Sequence, residues 1–314
     1  EDGIRDSSVT GVQTCALPIY TITANFTSTD PVTSVTIGGH AAQLTLVNAV
    51  TGTYTATYVV ASGDNAIATD VVVTSRDTAG NTTTQTLSGR VTVDTVAPTA
   101  TITLSDDALR IGDTSTVTIT FSEAVSGFSL SDLTANNGTL SNLSSATVNA
   151  NGTVTYTATF TPNSNIEDTT NVVSLTTGYT DTVGNTGTTA ESANYTIDTL
   201  APTATITVNT VTSDNVINQS ELAAGNVPVT GTVGGDVKVG DIVTLTINGH
   251  TYVGGVTANL AGELTYSIDV LASDLVADEN VTASVATTDA AGNTTTVTAR
   301  SEEHTSELQS HLNL

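Results

Sequence analysis

The string Asp-Thr-x-Ala-Pro-Thr-Ala-Thr-Ile-Thr stands at 94–103 and again at 198–207, and no other feature constrains the fold as strongly. Each copy follows an Asp-x-x-Gly-Asn pentapeptide by the same interval. These pentapeptides occupy 77–81 and 181–185, and a third lies at 289–293. Asp77 to Asp181 and Asp94 to Asp198 both span 104 residues. That period suits one complete sandwich domain per repeat. A function shared by repeats is carried by stacking, length and junctions, whereas a catalytic pocket would leave an unrepeated cluster of reactive residues. The sequence has no such cluster.

Both ends of the chain stand apart from this array. Residues 1–6, 9–19 and 300–311 read back, codon by codon, into the adapter DNA of a common short-read sequencing library. Ser7 and Ser8 fall where an index would lie. Residues 1–19 and 300–314 are therefore expected to be adapter-derived, and they are set aside from fold reasoning as an expression scar would be. Cys15, the only cysteine, goes with them, as do His304 and His311. What remains has no thiol, which removes zinc-thiolate and cysteine-nucleophile chemistry. The apolar stretch 15–19 is not read as a signal peptide, and the remainder is expected to be an internal fragment.

Between these ends the only strong bases are Arg76, Arg90, Arg110 and Lys238, against 25 Asp and Glu. The resulting net charge is −21, compared with −25 for the whole chain. Phosphate binding needs Lys and Arg to displace counterions, so nucleic acid and anionic membranes are excluded as partners and cations are favoured. Acidity that merely keeps an exported protein soluble is the competing explanation for any single carboxylate. No segment approaches the roughly 20 consecutive apolar residues of a membrane span, so no membrane insertion is expected. Thr and Val dominate, with Gly, Asn and Asp between the runs, which predicts strands and tight turns and little helix.

Period-two alternation runs through 116–121, 154–160, 243–247 and 264–268, with one apolar face and one face mostly Thr. Such half-buried strands need a second sheet to cover them, and two packed antiparallel sheets per unit answer that need. Gly38-Gly39, Asn151-Gly152, Asn248-Gly249 and Gly254-Gly255 are expected to close hairpins. The expected divisions are 20–94, short of its first strand, then 95–198, then 199–299, lacking its end. By the period, the linker Asp after Asp289 would fall at position 306, inside the stretch set aside.

The second unit carries Ala-Pro-Thr-Ala-Thr-Ile-Thr-Leu-Ser at 97–105, Thr-Phe-Ser-Glu-Ala-Val at 120–125 and Tyr-Thr-Asp-Thr-Val-Gly-Asn at 179–185. With these it resembles the bacterial Ig-like domains that form long arrays in giant surface adhesins. The third unit resembles a sister type through 214–221, 231–236 and Thr-Thr-Asp-Ala-Ala-Gly-Asn at 287–293. The resemblance covers nearly all of 95–299, whereas the first unit shares mainly its pentapeptide and linker. It implies an all-β array of tandem Ig-like antiparallel β-sandwich domains. It also implies a non-catalytic extender of a type I secreted, calcium-stiffened adhesin or biofilm protein, extracellular, with its surface or host ligand bound elsewhere in the parent protein.

An Ig-like polarity places the hairpin before the last strand at the N-terminal pole of its unit. Asp181 and Asn185 should then approach the linker Asp94, together with Glu123 from the end of the strand at 116–122. Likewise Asp289, Asn293 and Asp236 should approach the linker Asp198. Calcium takes six to eight oxygens from carboxylates, amides and carbonyls, so these eight residues are the candidate metal ligands. Asp-x-x-Gly-Asn is also a good hairpin in its own right, with Asp capping the turn, and both readings stand at this point. Asp214 to Glu221 lacks the spacing and Gly of an EF-hand and reads equally well as a polar turn with a short helical start. Asp106, Asp107 and Asp113 rank with it. Pro98 and Pro202 fix the backbone just after each linker Asp, so the connections should be short and extended. With strands of roughly ten residues at about 3.3 Å each, three units would span on the order of 100 Å.

As an enzyme the chain is unconvincing. His40 and His250 are the remaining histidines, both beside Gly in expected hairpins, and no Ser-His-Asp or Cys-His grouping can be assembled. The paired carboxylates recur at unit ends instead of converging in one cleft. The alternative of glycan-binding or accessory modules of a secreted carbohydrate-active enzyme meets a scarcity of aromatics and an absence of Trp.

Overall fold

A computed structural model describes residues 5–9, 21–61, 63–64, 66–301 and 304–306. Three separate hydrophobic cores follow one another along the chain. The first gathers Ile22, Phe26, Ile37, Val71 and Val73. The second is built on Val117, Ile119, Phe121, Phe160, Tyr179 and Tyr195. Val229, Leu245, Tyr266, Val270 and Val281 lie at the centre of the third.

The strand Ser115–Phe121 shows how the sequence makes each core. Ser115, Val117, Ile119 and Phe121 are buried, while the threonines between them face outward. The pleat imposes this alternation. The strand pairs with Val154–Pro162 on one side, Ile119 opposite Tyr156, and with Ala100–Leu104 on the other. Gly138–Ser141 and Thr147–Val148 also pair with Val154–Pro162 and make up the sheet. Facing it, Ala108–Arg110 runs parallel to Tyr195–Asp198, which pairs in turn with Glu167–Asn171.

The order of the first sheet recurs in the flanking units, where the facing sheet is a single four-stranded one. Arg5–Val9, Thr21–Thr27, Thr53–Val59 and Gln43–Asn48 form one sheet of the first, opposite His40–Ala41, Val32–Ile37, Ala66–Arg76 and Thr82–Val93. In the third, Ala204–Ile206, Asn226–Gly235, Leu264–Leu271 and Thr257–Ala258 face His250–Gly255, Ile242–Ile247, Thr282–Thr288 and Thr294–Arg300. The chain is thus an all-β tandem of Ig-like antiparallel sandwiches. Helix is confined to Gln219–Ala224, Ala272–Ala277 and a 3-10 turn at Leu130–Asp132 among the described residues. None of the described helices is long and apolar enough to cross a membrane.

Asn248 and Gly249, at φ 49° and 78°, close the hairpin between Ile247 and His250 as expected. Gly254-Gly255 closes no hairpin: both residues lie inside His250–Gly255, paired with Val243 and Ile242. A Cβ on Gly254 would sit 2.6 Å from the Ile268 side chain of the opposite sheet, so this glycine permits close approach of the two sheets. The loop around Asp214 is a polar turn leading into a helix. Asp214 accepts from the Thr212 hydroxyl and the Val216 amide, and Asn218 with Glu221 forms a capping box on Gln219–Ala224.

Parts of the stretches set aside on the sequence are paired. Arg5–Val9 lies antiparallel to Thr21–Thr27, and Thr305–Ser306 lies parallel to Val216–Ile217. Such pairing uses backbone groups that every residue except proline offers in full. His304 is buried, with Nε2 2.8 Å from the Leu275 carbonyl oxygen and Nδ1 lacking a hydrogen-bond partner.

Candidate functional site

The repeated sequence strings become repeated contacts. In all three pentapeptides the Asp amide donates to the Asn carbonyl at 3.0 Å, closing the hairpin. The Asp carboxylate lies inside the turn. Asp181 Oδ1 accepts from the amides of Val183, Gly184 and Asn185 at 2.7–2.9 Å, and its Oδ2 accepts from Asn185 Nδ2 at 2.6 Å. Asp289 does the same with Gly292 and Asn293, and Asp77 with Asn81.

The Asn side chain then reaches the preceding linker. Asn185 Nδ2 also donates to the Asp94 carbonyl at 3.1 Å, and Asn293 Nδ2 to the Asp198 carbonyl at 3.0 Å. Each linker Asp accepts from the amide two residues on, Val96 or Leu200, in an Asx turn. The following Thr faces the unit left behind. Thr95 Oγ1 donates to the Asp64 carbonyl, and Thr199 Oγ1 to that of Asn163. Asp, Thr and Asn together stitch one sandwich to the next. The hairpin therefore does lie at the N-terminal pole, beside the linker.

At the first junction Asp94, Glu123 and Asp181 each present a carboxylate oxygen, and these atoms lie within 4.8 Å of one another. Asp181 is buried and the other two are half-buried. Among the described residues no Lys or Arg pairs with any of them. Burial first, and then the charges of Asp94 and Asp181, push the Glu123 carboxyl above its ordinary pKa. Oxygens about 2.4 Å from a common calcium can be at most about 4.8 Å apart, a necessary condition that these three meet. The Asn185 side-chain nitrogen is committed to the Asp94 carbonyl and the Asp181 carboxylate, which makes it a strut for the linker, while the atom a cation would use is its Oδ1.

The second junction is not a copy of the first. Thr99 and Ser122 exchange backbone and side-chain hydrogen bonds, and Thr203 and Asp236 exchange the equivalent pair. Asp236 thus occupies the place of Ser122, and the place of Glu123 falls to the buried Val237. Asp236 spends Oδ2 on the Thr203 amide and hydroxyl, which hold its carboxyl below the usual range with help from Lys238. Burial pushes the Asp289 carboxyl up, but the Asn293 side chain and the amides of Asn293, Gly292 and Ala291 outweigh it, and the net direction is down. Asp198, Asp289 and Asn293 do meet, through the Asn293 side chain.

Sequence reasoning missed the other wall of this junction. The Ile111 amide donates to Asn293 Oδ1 at 2.8 Å, and Arg110 lies over Gly292. It also missed the tie made by each histidine at its hairpin. His40 stacks on Tyr58 and lies 3.5 Å from Asp64, and His250 Nδ1 is 2.8 Å from Asp274, which Tyr252 also contacts. Asp106 and Asp113 cap local turns, accepting from the amides of Ala108 and Arg110.

A family model described as a bacterial Ig-like domain matches residues 94–197. A Ca2+-stabilized adhesin that helps an Antarctic bacterium reach out and bind ice is 37% identical, over 91% of this chain and 69% of that one, with a TM-score of 0.51. A bacterial immunoglobulin-like domain from the M. primoryensis ice-binding adhesin is 51% identical, over 34% of this chain and 100% of that one, with a TM-score of 0.31. A 1.5-MDa bacterial ice-binding adhesin, studied for its retention on the host cell surface, is 30% identical, over 91% and 90% of the two chains, with a TM-score of 0.47. No curated protein sequence matches. With 37% identity to the Ca2+-stabilized adhesin over 69% of that chain, and a bacterial Ig-like domain at its centre, this chain belongs to the family of bacterial Ig-like adhesin repeats.

Proposed function

We propose that the chain is a non-catalytic extender of a secreted or cell-surface bacterial adhesin, stiffened by calcium where the linker enters the second sandwich. The observation that carries this reading is the convergence of Asp94, Glu123 and Asp181 on one point at that junction. A divalent cation bound there would neutralise three mutually repelling carboxylates and tie the linker to the body that follows. The chain's own groups prepare the place. Asn185 fixes the Asp94 carbonyl, the turn amides aim Asp181, and the strand Ser115–Phe121 delivers Glu123. The similarity to an adhesin described as Ca2+-stabilized supports the same ion.

The reading divides the chain at 20–94, 95–198 and 199–299, with adjacent repeats as partners and the adhesive ligand held elsewhere in the parent protein. It keeps type I secretion and surface attachment or biofilm formation as the setting. It also keeps 1–19 and 300–314 as adapter-derived. Small-angle scattering of the full chain in calcium and then in excess chelator tests the proposal. The expected result is a rod near ~100 Å that loses rigidity on chelation. An unchanged profile would leave a spacer set by Pro98 and Pro202 alone.

A further inference from the structure

We infer that the two junctions are held by different means: the second is clasped by the chain's own groups and stays joined when calcium is withdrawn, so that chelation frees a single hinge at the first. This rests on the calcium reading of the first junction and adds to it which joint responds.

Four observations at the second junction carry the inference. The Asn293 side chain is almost fully buried and is used at both ends: Nδ2 holds the Asp198 carbonyl and the Asp289 carboxylate, and Oδ1 receives the Ile111 amide at 2.8 Å. That last bond crosses from the body of the second sandwich to the terminal hairpin of the third, bypassing the linker. Arg110 lies over the hairpin, with a guanidinium nitrogen 2.6 Å from where a Cβ on Gly292 would be, and pairs with Asp113 at 3.5 Å. Lys238 Nζ donates to the Thr288 carbonyl at the base of the same hairpin. Buried Val237 takes the place that Glu123 holds at the first junction. The second junction thus has two basic side chains, and among the described residues its carboxylates, Asp198, Asp236 and Asp289, do not converge as those of the first junction do.

At the first junction the corresponding hairpin face is open, for a Cβ on Gly184 would meet nothing within 4 Å. Carboxylates that stay apart and are bonded to the chain's own amides and hydroxyl, as Asp236 and Asp289 are, need no added cation, whereas three that converge without a base do. Glycine at 292 is favoured by its φ of 96°, and a side chain there would shift the Arg110 guanidinium.

Hydrogen exchange of the full chain, resolved to single amides, tests this in calcium and in excess chelator. The Ile111 amide reports the clasp, and the amides of Val96 and Val183 report the first junction. Chelation is expected to speed exchange at Val96 and Val183 by about tenfold or more and to leave Ile111 unchanged. Asn293→Ala should expose Ile111 in calcium and chelator alike. Arg110→Ala combined with Lys238→Ala should make Ile111 protection depend on calcium. If chelation releases Ile111 as much as Val96 in the unaltered chain, the inference falls while the calcium reading stands. If neither junction responds, both fall. An Ile111 amide that stays protected in Asn293→Ala also overturns the inference.

Discussion

Glu123 stands where a carboxylate is most strained without a cation, half-buried and facing Asp94 and Asp181. Burial and those two charges raise its pKa above the ordinary 4.5, so the folded, cation-free chain holds this proton to higher pH than the unfolded chain does. Its contribution therefore runs opposite to that of a salt-bridged acid: without calcium, stability falls as pH rises from 4.5 through the raised value. Calcium needs the carboxylate and reverses the dependence. Titration calorimetry between about pH 7 and about pH 5 should show affinity falling on acidification, with protons released on binding. A pH-independent affinity would remove Glu123 from the site. Glu123→Gln keeps the shape and removes the charge. It should raise the melting temperature in chelator while weakening calcium binding by about tenfold, or about 1.4 kcal/mol. Loss of stability in both conditions would instead mark Glu123 as a packing residue.

At the scale of the elements, the distance between the two sheets of a unit is a constraint. In the third sandwich it is set where Gly254 meets Ile268, and Gly254→Ala should cost about 1–3 kcal/mol through overpacking. Urea unfolding would read this as a lowered midpoint with an unchanged slope, and an unaltered midpoint would show that the sheets can move apart freely. Gly254 also marks the limit of what the sequence makes legible. Alternation in 116–121 and 154–160 is enforced by the pleat, so those strands and their inward faces could be read directly. Asp-x-x-Gly-Asn is a local hairpin, and the polarity of an Ig-like unit placed it beside the linker. A Gly-Gly pair reads as a turn unless the opposing sheet is known. Asp236 likewise looked like the counterpart of Glu123. The difference of one position, which puts Val237 there, depends on how Thr203 pairs across the unit. The clasp from Ile111 to Asn293 joins residues 182 positions apart, and no periodicity reports it.

Taken whole, the chain has three cores joined by two short linkers, so its unfolding is a set of transitions instead of one. An ion that needs Asp94, Glu123 and Asp181 together binds only when the second sandwich is folded and the end of the first is docked on it. Linkage then fixes the size of the effect: at a hundredfold excess over its dissociation constant, such an ion adds about 2.7 kcal/mol to that unit. For a domain of this size the gain corresponds to a rise on the order of 10 °C in its midpoint. Scanning calorimetry of the full chain should therefore show calcium moving the transition of the second sandwich upward, with smaller changes in the third. Glu123→Gln should abolish the movement. A rise shared equally by all three transitions would place calcium at sites common to every repeat, such as the pentapeptide hairpins. In that case stiffness would belong to each unit. A rise confined to the second transition would locate it at one joint, and the cation concentration around the chain would then set whether its two linked arms act as one body.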